Sequence, residues 1–142
     1  MSRVLFAVLL ACSTTLWACG GSDKPADPPK FTGHDIPARA ADATYTVKGE
    51  ITMLPVDGDK RTELKVHHEA IPTFKDKEGK VVGMSAMTMS FPPAKGVDLS
   101  KLKKGDKVSL TFSVWWGNTP GYLTTKVEKL SDDTKLDFGA TK

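Results

Sequence analysis

From Thr44 onward the chain alternates. Tyr45, Val47, Ile51 and Met53 fall on one side of an extended backbone, and Thr46, Lys48, Glu50 and Thr52 fall on the other. Successive side chains of a strand point to opposite faces, so this row reads as a strand with one buried face. Gly49 interrupts the row and reads as a bend or bulge. After the turn residues Asp57-Gly58-Asp59-Lys60, a second run sets Thr62, Leu64, Val66 and His68 against Glu63, Lys65 and His67. A charged excursion, Pro72 to Gly83, reads as an exposed hairpin or loop, and a short third strand is expected across Ala86–Phe91. Val97–Leu102 suits a single helical turn. A fourth strand places Val108, Leu110, Phe112, Val114 and Trp116 on one face, and the loop Gly117-Asn118-Thr119-Pro120-Gly121 leads into a last strand from Tyr122 to Leu130. The expectation is an all-β domain over 44–131, a small five-stranded antiparallel OB-like barrel, followed by a flexible tail over 132–142. Residue patterns alone do not separate an OB barrel from another five-stranded arrangement.

The chain upstream follows a different plan. Arg3 is the only charge in the opening stretch, and the apolar run Val4–Cys12 is far shorter than the roughly 20 residues needed to span a bilayer. Leu16-Trp17-Ala18-Cys19 then resembles the bacterial lipobox, so residues 1–18 read as a lipoprotein signal peptide and Cys19 as the acylated new N-terminus. Gly20 is not the Asp that marks inner-membrane retention in some bacteria, which favours the outer membrane. Residues 19–43, with Pro25, Pro28, Pro29 and Pro37, read as a lipid-anchored, Pro-rich linker that includes a solvated His34. Cleavage discards Cys12 and lipidation consumes Cys19. Thiolate catalysis, zinc–thiolate sites and CxxC redox chemistry are thereby set aside. A formal charge of +3 is too small for binding driven by phosphate neutralisation, so no nucleic-acid partner is expected.

Three features carry potential chemistry: His67-His68-Glu69, Met84, and Met87-Thr88-Met89. Met87 and Met89 are two apart, so on a strand their thioethers share a face. His68 shares the parity of Leu64 and Val66. Pairing the two strands brings one imidazole nitrogen and two thioethers together near a barrel rim. Thioethers are poor donors for Mg²⁺, Ca²⁺ or Zn²⁺ and suit Cu(I), and Ag(I) by the same reasoning. The plainer alternative makes Met87 and Met89 gap-filling core residues beside Phe91, with both histidines at the surface.

At these residues the sequence resembles the CusF-like periplasmic copper-binding proteins. The similarity lies in His67-His68-Glu69-Ala70-Ile71, Ala86-Met87-Thr88-Met89-Ser90-Phe91 and Lys104-Gly105-Asp106-Lys107-Val108, and runs over roughly Tyr45–Leu130. It implies an OB-like barrel binding Cu(I) or Ag(I) through one His and two Met, which carry over to His68, Met87 and Met89. Members of the family place a metal-capping Trp three residues before the first Met, where this chain has Met84. Met84 is thus a third sulfur ligand, a hydrophobic lid or a solvent-facing residue. The loop from His to the Met motif is also about eight residues longer here, a length that loop-closure entropy tolerates. Trp115 and Trp116 are candidates for a replacement cap. Strand parity points Trp116 inward and Trp115 outward, where Trp115 is available to a partner protein.

These features lead to a lipid-anchored, monomeric envelope protein that holds Cu(I) and passes it by ligand exchange to or from a copper donor or acceptor protein, as a metallochaperone or copper-resistance factor. The alternative is a non-metal OB-like module that binds an envelope protein or glycan through Trp115 and Tyr122. No nucleophile–base pair, paired acids or phosphate-cradling loop is identifiable, so an enzyme is not expected.

Overall fold

The computed structural model describes residues 33–59 and 61–139. The stretch read as a signal peptide, Cys19 and the first part of the stretch read as a linker lie outside the described residues. Five strands follow in chain order: β1 (Ala43–Met53), β2 (Lys65–His68), β3 (Met87–Ser90), β4 (Lys107–Val114) and β5 (Tyr122–Lys129). No helix occurs among the described residues, and the turn expected at Val97–Leu102 reduces to a single bond from Leu102 N to Leu99 O. All strand pairs are antiparallel, and they form one sheet in the order β3-β2-β1-β4-β5.

The alternating residues fold as their periodicity requires. Val47 and Ile51 of β1, Val66 of β2, and Val108, Leu110, Phe112 and Val114 of β4 turn to one side and pack with Leu64, Ile71 and Phe91. This core draws the sheet into a curve without closing it. No ladder joins the edge strands β3 and β5; residues 90–94 bridge the gap instead. Tyr122 Oη donates to Ser90 O at 2.8 Å, Thr124 N to Pro92 O at 2.8 Å, and Ala94 N to Thr124 O at 2.8 Å. The barrel is therefore an approximate one.

Gly49 is a point of close approach. It pairs with His68 on one side and Val108 on the other, and a Cβ there would lie 2.5 Å from His67 O and 2.6 Å from Val66 Cγ1. The register irregularity between β1 and β2 falls instead between Ile51 and Met53. The Lys104-Gly105-Asp106 turn locks β4 to β1 and β5. Ile51 N donates to Asp106 O at 2.9 Å, and the buried Asp106 carboxylate receives Lys129 Nζ and Lys103 N, each at 2.9 Å.

Both flanks of the barrel make contacts with it. Of the stretch read as linker, residues 33–42 lie along the domain. His34 is exposed, but its N–H donates to Pro93 O at 2.9 Å, and Asp42 N donates to Val114 O at 2.8 Å. Of the stretch read as a tail, Asp132 and Thr134 present their carbonyls to Lys107 Nζ.

Candidate metal centre

His68 ends β2 on the strand's inward face, as its parity with Leu64 and Val66 predicts, and is fully buried, so the alternative that sets it at the surface fails. Its Nδ1 lies 2.6 Å from the carbonyl of Glu69. A carbonyl only accepts, so this contact fixes the tautomer, with the proton on Nδ1 and the lone pair on Nε2. Nε2 is buried and has no hydrogen-bond partner. The ring stands edge-on to Phe91, 5.6 Å between centroids. Burial pushes the His68 pKa below its ordinary value; the Glu69 carbonyl opposes this and neighbouring His67 adds to it. The imidazole thus favours its neutral form and carries a buried, unpartnered electron pair on Nε2.

β3 runs beside it, pairing His68 with Met87 and Val66 with Met89. The methionine directly across from His68 is 47% exposed, so Met87 is not a core residue. Met89, on the same face two residues on, is half-buried and packs on the core. Parity and pairing therefore bring His68, Met87 and Met89 to one face at the β2–β3 edge of the sheet.

The charged excursion is a narrow hairpin. Lys75 bridges to Val81, and the hairpin is closed at its base by Ile71 and Met84, which exchange bonds of 2.8 and 3.0 Å. The Asp76 carboxylate receives Glu78 N at 3.0 Å and Lys80 N at 2.9 Å, shaping the tip. The hairpin sets Met84 half-buried against the core, so the solvent-facing option for this residue is excluded. Met84, Met89 and Trp116 line one apolar cavity of about 160 Å³, with Phe74, Phe112 and Tyr122 among the other walls.

Trp116 turns inward as its parity predicts, and its ring meets Phe74 edge-on at 6.2 Å. Trp115 does turn to the other face, but the inference that it is exposed there fails: it is 3% exposed. Residues 39–42 and 94 cover that face, where Trp115 packs with Ala94 and Leu123 and donates from Nε1 to Arg39 O at 3.0 Å. Trp115 is thus neither a cap nor a partner contact. Tyr122, the other contact of the glycan or protein alternative, has its hydroxyl engaged on Ser90 and its ring against Phe91 and Phe112.

One residue of this neighbourhood escaped the sequence reading. Phe74 brings an aromatic ring to the cavity and packs at a tilt against Tyr45, 5.1 Å between centroids, while Tyr45 Oη accepts from Lys75 N at 2.9 Å. Its only trace in the sequence is an isolated large apolar residue at the start of a charged stretch.

Among the described residues, no three His, Cys, Asp or Glu side chains are grouped to hold an ion. The donors on offer are one imidazole and two or three thioethers, neutral and soft, a set that matches Cu(I) and not a hard cation. The orphaned Nε2 fits such an ion, because a buried nitrogen lone pair without a partner costs stability unless something fills it.

The family model described as copper binding periplasmic protein CusF matches residues 44–129. No curated protein and no solved structure matches the chain.

Proposed function

Since the chain belongs to the family of the copper binding periplasmic protein CusF, a copper-binding periplasmic family, we propose that it holds Cu(I), and Ag(I) by the same soft chemistry, through His68, Met87 and Met89. The observation that carries this is the buried, unpartnered Nε2 of His68 directly across the β2–β3 ladder from the exposed Met87. A structural histidine this deep would have both ring nitrogens engaged.

Met84 joins as a third thioether or closes the site as a hydrophobic lid. It stands where family members carry their capping Trp, and it shares a cavity with Met89 and Trp116. Trp116 is the indole suited to a replacement cap. Its support is that same shared cavity.

A neutral, shallow donor set suits handover. The acceptor's own sulfurs replace the donors stepwise, with exposed Met87 reached first, which makes the protein a metallochaperone or copper-resistance factor serving a donor or acceptor protein. It works as a monomer anchored through Cys19, with the outer membrane as its site. The support for anchoring is the Leu16-Trp17-Ala18-Cys19 motif and the Pro-rich stretch after it.

The test is competitive Cu(I) titration against a chromogenic chelator, beside the Met87→Leu/Met89→Leu double variant. These swaps nearly conserve volume and cost less than about 1.5 kcal/mol each. One-to-one binding that disappears in a folded double variant is the expected result. A parent protein that leaves the chelator's copper untouched refutes the proposal, as does a double variant that binds like the parent.

A further inference from the structure

The segment that follows β5 reaches the other side of the copper-binding strand. Lys107 and His67 both pair with Glu50, so the three lie in one row across β4, β1 and β2. The segment follows that row. Lys107 Nζ donates to Asp132 O at 2.7 Å and to Thr134 O at 2.6 Å. Farther on, Asp137 N donates to Glu69 Oε1 at 2.7 Å, and the Phe138 ring lies 4.1 Å from the His67 ring. The family match ends at residue 129, so in each of these contacts the residue that reaches back lies beyond it.

The grip closes on both neighbours of His68. His67 is held through its ring and Glu69 through its carboxylate, while Glu69 N is tied to Lys48 O at 2.9 Å. The Glu69 carbonyl is in turn the group that holds the His68 Nδ1 proton. Groups that orient a metal-binding histidine through its second nitrogen decide which nitrogen is free to bind.

We infer that residues 132–138 form a positioning strap for His68: Asp137 and Phe138 fix the Glu69 peptide, which keeps the His68 proton on Nδ1 and the Nε2 electron pair open to the ion. The inference rests on the copper reading of His68, but the tautomer exists with or without metal, so the two are tested separately. The strap acts before any ion arrives. It presets the imidazole, so binding does not have to begin with a tautomer exchange.

The test uses the full chain with Phe138→Ala, Asp137→Pro, which removes the donating N–H, and Phe138→Tyr, which keeps the ring. Thermal melts verify folding, ring ¹⁵N shifts of metal-free protein report the His68 tautomer, and Cu(I) release to a chromogenic chelator gives a rate. The expected result is a mixed tautomer in the first two variants with release accelerated about tenfold, the lower end of the range for groups that support a metal ligand, and recovery of both in Phe138→Tyr. A pure Nδ1–H tautomer with parental release in both Phe138→Ala and Asp137→Pro overturns the strap. If the parent binds no Cu(I), the copper reading fails, while the ¹⁵N shifts still decide the strap.

Discussion

Replacing His68 with leucine separates a structural histidine from one kept for binding, because the two predict opposite signs. In the metal-free protein, the unpartnered buried Nε2 carries a desolvation penalty of about 1–3 kcal/mol. The Nδ1 bond to Glu69 O returns about 0.5–1.5 kcal/mol. Leucine removes both, leaves the partly buried Glu69 carbonyl to water, and presents only apolar surface to Phe91 and Val66, which are themselves fully buried. The balance favours the variant by about 1 kcal/mol, which raises Tm by about 4–8 °C in a domain this small. With Cu(I) the order reverses. A free ion concentration one hundred times Kd stabilises the parent by about 2.7 kcal/mol and leaves the variant unmoved. The assay is a pair of thermal melts under anaerobic reducing conditions, with and without Cu(I). The reasoning fails if metal-free His68→Leu is less stable than the parent by more than about 2 kcal/mol, or if Cu(I) raises both melting points equally.

The lowered pKa of His68, set first by burial, fixes two pH trends. Between the unfolded value near 6.5 and the lower folded value, the unfolded chain binds more protons, so metal-free stability is full above about pH 6.5 and falls as pH drops through that window; denaturant midpoints measured from pH 8 to 5 should decline on the acid side. Cu(I) affinity needs neutral Nε2, so it should hold from pH 7.5 to about 6.5 and weaken at a lower pH than an ordinary histidine would set, and a flat profile down to pH 4 would remove His68 from the donor set. Gly49→Ala drives a methyl group into His67 O and Val66 Cγ1 at 2.5 and 2.6 Å, so urea denaturation should show a loss of about 1–3 kcal/mol, with weaker Cu(I) binding because β2 must shift. Parental stability in that variant would mean that β1 and β2 separate more easily than their register implies.

Periodicity made the barrel legible because a half-buried strand records its inner face in every second residue. The same rule put His68 inside and Met87 beside Met89. It reached its limit at Trp115, since parity names a face and not what covers that face. The cover comes from residues 39–42 and 94, far away in sequence and without strand periodicity of their own. Phe74 was hidden for a related reason: the charges around it mark the tip of the hairpin, while its ring belongs to the base. The contacts of residues 132–138 left no periodic pattern, because two of them use backbone carbonyls and one a backbone N–H, which any residue supplies, and the fourth is a single aromatic ring, Phe138, on His67.

The position of β3 at the edge of the sheet gives the proposed donor set two different clocks. β2 is flanked on both sides, by β1 and β3, whereas β3 is held by a single four-residue ladder and by the bridge at residues 90–94. Local opening follows such differences in backbone support, so the amides of Met87–Met89 should exchange with deuterium through small openings while those of Val66 and His68 wait for larger ones. The thioethers then sample departure many times for each time the imidazole does. On the proposed ligation, the residence time of a bound ion should follow the fraying of one short strand, so substitutions at the β3 edge should retune it while the stability of the barrel holds.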